Sequence, residues 1–138
     1  MVRVLFDTNV LISAAYSQGS VPHKVLEKAT KPPFQPLICE TNLEELRKIC
    51  KRKFPHKAAQ FEQFITEVLS FVEVIPVPPT PHPDEEKIRD IDDRPILRAA
   101  IEAGVDILLT GDKDFLESTI TNPKIMTAIQ YVQIQEIE

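Results

Sequence analysis

Short apolar runs alternate with amphipathic segments along the chain. Val2-Arg3-Val4-Leu5-Phe6 is rich in β-branched and aromatic residues, the composition of a short buried strand, and Asp7-Thr8-Asn9 ends it with turn-favouring side chains. Val10 to Ala15 resumes as helix-like sequence, and Ser-Val-Pro-His from Ser20 marks another helix start with proline in its first turn. A second strand is expected at Pro36–Cys39. Thr41-Asn42-Leu43-Glu44 has the spacing of a capping box and opens a helix to about Lys53, with Leu43, Leu46, Cys50 and Phe54 on one stripe. From His56 to Phe71 the residues Phe61, Phe64, Ile65, Val68, Leu69 and Phe71 recur at helical intervals.

A third strand is expected over Val72–Val77. The prolines at 78, 79, 81 and 83 make the following stretch a surface connection. Asp84 to Arg89 starts a brief helix whose acids suit the N-terminal dipole. After Asp92-Asp93 a helix runs to Ala103, with Ile96, Leu97, Ala100 and Ile101 inward and Gly104 as its stop. Val105–Leu109 is a fourth strand ending in Thr110-Gly111-Asp112, and Pro123–Glu138 reads as strand or as short helix.

Strands alternating with helices predict a single α/β domain over residues 1–138, with a central parallel sheet of about four to five strands flanked by helices on both faces. The continuous apolar strands VRVLF and VDILL suit a sheet covered on both sides. Such sheets place ligands beyond the carboxyl ends of their strands, where Asp7 and Asp112 both stand.

Length and composition narrow the chemistry. With 138 residues, 43% of them hydrophobic, the chain can bury a substantial core. No apolar run approaches the roughly 20 residues of a membrane span, and the acid at position 7 interrupts any leader-like start, so a cytoplasmic protein is expected. Cys39 and Cys50 lack metal-type spacing and read as reduced thiols. Three glycines, Gly19, Gly104 and Gly111, cannot build a Walker loop or a dinucleotide fingerprint. No GxSxG elbow occurs, and His23, His56 and His82 are scattered. The net charge of −5 opposes simple electrostatic binding of nucleic acid but leaves room for a carboxylate cluster that takes up cations.

Each candidate acid also has a local reading. Asp7 and Asp112 suit turns, the latter beside Gly111; Asp93 suits the N-cap of the next helix, a role Asp92 could share; Glu44 occupies the capping-box position; Asp114 suits a short helix at Phe115-Leu116. Glu45 has no such role. Their combination changes the weighing, because Asp7, Asp112, Asp93 and Glu45 all open on one edge. Carboxylates gathered there raise one another's pKa values unless a cation is present, and oxygen ligands select Mg²⁺ or Mn²⁺ over zinc.

These segments resemble the PIN domain, a metal-dependent ribonuclease fold. Leu5-Phe6-Asp7-Thr8-Asn9-Val10-Leu11-Ile12 resembles its opening motif, and Glu44-Glu45-Leu46-Arg47-Lys48-Ile49 its second, with the acid carried onto Glu45. Asp90-Ile91-Asp92-Asp93-Arg94-Pro95-Ile96-Leu97 resembles the third, with the metal-site acid at Asp93 and Asp90 or Asp92 as substitutes. Leu108-Leu109-Thr110-Gly111-Asp112-Lys113-Asp114-Phe115-Leu116 resembles the fourth, with Asp112 as main acid and Asp114 as accessory. The likeness is greatest to prokaryotic VapC-like toxins of toxin–antitoxin pairs, although Ile91 stands where that subgroup often has proline and Pro95 lies in the first turn of the next helix.

The resemblance implies endonucleolytic hydrolysis of RNA phosphodiester bonds, with one or two Mg²⁺ or Mn²⁺ ions on Asp7, Glu45, Asp93, Asp112 and Asp114. It gives Thr8, Asn9 and Thr110 the role of orienting carboxylates or water. It also implies a homodimer and a small antitoxin protein that covers the cleft. Arg47, Lys48, Lys51 and Arg52, with Lys53 beside them, are candidate phosphate contacts, their alternative being a solvated helix end. Two other readings compete: a PIN-like module that binds RNA or protein without cutting, and a haloacid-dehalogenase-like phosphatase. The phosphatase would need an Asp at position 9, which is Asn.

Overall fold

The computed structural model describes residues 1–16 and 21–134, with backbone alone at positions 21 and 22. The strands are β1 (Val2–Phe6), β2 (Phe34–Cys39), β3 (Glu73–Ile75), β4 (Ile107–Leu109) and β5 (Lys124–Met126). The helices are α1 (Thr8–Tyr16), α2 (Val21–Ala29), α3 (Glu40–Lys53), α4 (Ala58–Leu69), α5 (Arg94–Glu102), α6 (Lys113–Leu116) and α7 (Ala128–Val132). All five strands are parallel, in the order β3-β2-β1-β4-β5. This is the α/β architecture that the alternation of elements predicts.

Alternation along each strand divides the core into two layers. Val4, Phe6, Ile38, Ile107 and Leu109 face one layer with α1 to α4 and Tyr131 of α7. Leu5, Leu37, Cys39, Ile75 and Leu108 face the other, against Ile96, Leu97, Ala99 and Ala100 of α5 and Phe115 of α6. Register aligns Phe6 with both Ile38 and Leu109, so the residues just beyond them, Asp7 and Thr110, emerge on the same edge. The Asp7 N–H donates to the Leu109 carbonyl at 2.9 Å, fixing that alignment. The chain reverses its direction of travel across the sheet between β1 and β4, the position where such sheets open a crevice.

Several boundaries differ from the sequence reading. β2 begins at Phe34 rather than Pro36, because β3 pairs only from Leu37; at Pro36 the strand has one neighbour and no donor is lost toward β3. The capping box at Thr41 is absent. α3 starts at Glu40 directly after the strand, with Cys39 as its N-cap and no side-chain cap, and the Thr41 hydroxyl lies 3.3 Å from the Cys39 sulfur. The segment ahead of α4 is a separate 3-10 turn, Pro55–Lys57. The tail contains both of its alternatives, β5 and then α7. Gly104 stops α5 at φ +66, as expected of a glycine there. The helix start expected at Ser20 lies outside the described residues. Cys39 and Cys50 are buried and free. No helix among the described residues is long and apolar enough to cross a membrane.

Candidate metal centre

Asp7 stands at the centre of the carboxyl edge, 9% exposed. Three donors hold its carboxylate. Thr8 N–H donates to Oδ1 at 2.7 Å, Asn42 Nδ2 to Oδ1 at 3.1 Å, and the Thr110 hydroxyl to Oδ2 at 2.7 Å. Burial is the larger influence and raises the Asp7 pKa; the Thr110 and Thr8 bonds pull it down, and the charges of Glu45 and Asp112 push it up. A buried carboxylate fixed this tightly and still disfavoured as an anion is short of positive charge.

Asp93 joins the surrounding groups. With Asp7 and Glu45 it lines a cleft of about 260 Å³ that also includes Thr41, Asn42 and Pro95. Its pKa is pushed up to about 7, first by burial, then by the hydrogen bond it shares with Asp112, and by the charges of Asp112, Asp90 and Asp7. Although Asp93 precedes α5, its side chain makes no cap, and Oδ2 is buried with no hydrogen-bond partner among the described residues. The N-cap reading of Asp93 is therefore not what the structure has; Asp90 caps the preceding 3-10 turn, Ile91–Asp93, by accepting from Asp92 N–H at 2.9 Å.

The remaining acids occupy distinct places. Glu45 is exposed at the lip of the cleft, in the first half of α3. Asp112 keeps its turn role as well, capping α6 by accepting from Asp114 N–H at 2.9 Å while its own N–H donates to the Thr110 hydroxyl. Asp114 is half-buried and paired with Arg89 at 2.9 Å; one oxygen each from Asp90, Asp93 and Asp114 lie within 4.8 Å of one another. Asp92 is exposed on the cleft wall.

The donor set suits a hard divalent cation. It consists of carboxylate oxygens with hydroxyl and amide groups behind them, and it contains an orphaned buried oxygen and two acids with raised pKa values. A cation bound there would remove the mutual repulsion that raises them.

A family model for the PIN domain matches residues 3–114. The chain belongs to the PIN domain family. It is 28% identical over 115 residues to Uncharacterized protein MJ1680 of Methanocaldococcus jannaschii, covering 83% of this chain and 74% of that one. Among solved structures, a chain of VapBC2 from Rickettsia felis, bound to a DNA fragment from their promoter, superposes with TM-score 0.70 at 19% identity, covering 91% of this chain and 98% of that one. PAE2754 from Pyrobaculum aerophilum gives 0.61 at 18% identity (96% and 91% covered). VapC20 of Mycobacterium tuberculosis, described as a Sarcin-Ricin loop cleaving toxin, gives 0.56 at 17% identity (83% and 93%). These likenesses are of fold.

Within the PIN chain, one polar residue at the centre escaped the sequence reading. Asn42, 8% exposed, donates to Thr8 Oγ1 at 2.8 Å as well as to Asp7. It shares the buried stripe of α3 with Leu46 and Cys50, at intervals of four. A polar residue in register with an apolar stripe is the signal that was available, and Leu43 takes only a half-buried place beside it. Thr8 and Thr110 are buried against Asp7, whereas Asn9 is exposed. Arg47 is half-buried 3.9 Å from Glu62, and Lys48, Lys51 and Arg52 are exposed along α3.

Proposed function

We propose that this PIN protein is a Mg²⁺- or Mn²⁺-dependent ribonuclease in which Asp7, Glu45, Asp93 and Asp112 are the catalytic carboxylates, with Asp114 as an accessory ligand. The observation that carries this reading is the buried, unpartnered Oδ2 of Asp93 in a cleft shared with Asp7 and Glu45. When bound, the cation supplies an activated water and neutralises charge developing on the phosphodiester. The chain's own residues supply placement. Thr8, Asn42 and Thr110 lock the Asp7 carboxylate in one orientation, and the Asp112 backbone is tied to the same Thr110 hydroxyl. Burial and the neighbouring Asp112 push the Asp93 pKa up to about 7, and a cation held there would favour its ionised form.

The fold likeness to VapBC2 and to a toxin described as cleaving the Sarcin-Ricin loop supports the further reading of a VapC-type toxin with a small antitoxin as partner; the homodimer rests on the family resemblance alone. Membership of the PIN family leaves the haloacid-dehalogenase alternative without support. Purified protein should cut single-stranded RNA with Mn²⁺, stop on addition of EDTA, and lose activity in Asp7→Asn by more than the roughly 10–100-fold typical of losing an outer partner of a metal ligand. A folded, Mn²⁺-binding protein that cuts no RNA would leave the binding-only module as the better reading.

A further inference from the structure

We propose that the ends of α1 and α3 remote from the cleft form a binding track for single-stranded RNA, with Tyr16 as a base-stacking platform and Lys51, Arg52, Lys53 and Lys57 as its phosphate-binding flank. The choice of RNA rests on the nuclease reading; the track itself rests on charge and ring geometry. From Leu46 through Phe61 the sequence holds six of the sixteen Lys and Arg residues and none of the twenty-one Asp and Glu residues. In a chain at −5, this gathers positive charge toward the end of α3, where a polyanion is attracted. Among these six cations Arg47 alone has an ion pair among the described residues. Lys51, Arg52 and Lys53 are exposed at the last turn of α3.

Beside them stands an aromatic ring with no place in the core. Tyr16, the last residue of α1, is 58% exposed. It is also held firmly. Its ring lies 5.3 Å from Phe54, which caps the end of α3, and Phe54 stacks on buried Phe61 at 5.1 Å. Lys57 Nζ sits 4.8 Å over the Tyr16 ring. An anchored, exposed ring beneath an ammonium is suited to exchange: a base takes the ring while the lysine moves onto the neighbouring phosphate. A duplex offers no free base face, so the geometry selects single strands.

Both helices point back to the acids. α1 starts immediately after Asp7, and α3 brings Asn42 and Glu45 to the cleft at its first turns. Thr8 and Tyr16 are eight positions apart, an axial distance of about 12 Å, or three to four stacked base steps of ~3.4 Å. A two-fold contact between copies of the chain through this surface would oppose the same cations to one another.

The test is fluorescence anisotropy of a labelled single-stranded oligouridylate with the full chain in EDTA, so that binding is read without cutting. Tyr16→Ala should weaken binding about tenfold, and Tyr16→Phe should retain it, because the stacking face survives. The triple change Lys51→Ala, Arg52→Ala, Lys53→Ala should lower the slope of log affinity against log salt by about 2, at ~0.7 per phosphate contact. Wild-type affinity and slope in both the Tyr16→Ala and triple variants, or no binding by the wild type, would overturn the track. So would sedimentation showing that the wild type dimerises through this face and Tyr16→Ala releases it. Binding that responds to these variants without any Mn²⁺-dependent cutting would reject the nuclease and keep the track; cutting with unresponsive binding would do the reverse.

Discussion

Asp93→Asn is expected to raise the stability of the metal-free protein while removing its activity. Burial and the bond shared with Asp112 lift the Asp93 pKa from 3.8 to about 7. Below the unfolded value both states hold the proton. Between that value and about pH 7 the folded state alone holds it, so stability falls as pH rises through this window, and above it the folded protein carries the whole cost of an ionised Asp93 beside Asp112, Asp90 and Asp7. Asparagine carries no such cost. In EDTA at pH 8 the variant should therefore melt several degrees above the wild type, with the gap closing near pH 4. Saturating Mn²⁺ should narrow the gap, because a ligand at 100 times its Kd stabilises by about 2.7 kcal/mol and the variant lacks a ligand for it. RNA cleavage should fall more than ~100-fold. Thermal melts across pH, with and without Mn²⁺, read all of this. A variant that melts below the wild type in EDTA at pH 8 would show that Asp93 serves the fold rather than the cation.

That opposition explains why the fold was more legible than the site. VRVLF and the strand at Val105–Leu109 announced themselves because a strand buried on both faces must be apolar throughout, and the acids after them inherit their position from the sheet edge. Local rules failed where the site overrides them. Thr41 and Glu44 have capping-box spacing, yet β2 runs straight into α3 and needs no cap, since the helix is anchored by Asn42, Leu46 and Cys50. Asp93 has the composition of an N-cap, but capping would satisfy the oxygen that the structure leaves unpartnered. Arg89 lies 25 positions before Asp114, and only the fold brings it to Asp114 and Glu117. Asn42 meets Asp7 across 35 positions and Thr110 meets it across 103, separations at which no sequence window reports a hydrogen bond. The charged and polar groups of the centre are legible one by one; their pairing is a property of sheet order.

Thr110→Val tests whether that pairing serves the acids or merely fills space. Thr110 is fully buried; its hydroxyl donates to Asp7 Oδ2 at 2.7 Å and accepts from Asp112 N–H at 3.0 Å. Valine keeps the shape and removes both bonds. Leaving buried groups without partners should cost about 1–3 kcal/mol of stability. More telling is the effect on the acids. The hydroxyl is the largest influence favouring the Asp7 anion, so its loss lets burial raise the Asp7 pKa further and frees the carboxylate to turn. Mn²⁺ affinity, read by calorimetry, should fall about 10–100-fold, with RNA cleavage falling alongside it. Thr110→Ser keeps the hydroxyl and loses a methyl group, so it should cost roughly 1 kcal/mol of stability and leave Mn²⁺ affinity near the wild-type value. Equal losses of affinity in the valine and serine variants would mean that the methyl group holds the strand end in place and that the hydroxyl bridge between Asp7 and Asp112 is incidental. Loss in valine alone would mean that one hydroxyl, contributed from β4, sets the orientation of the acid at the end of β1.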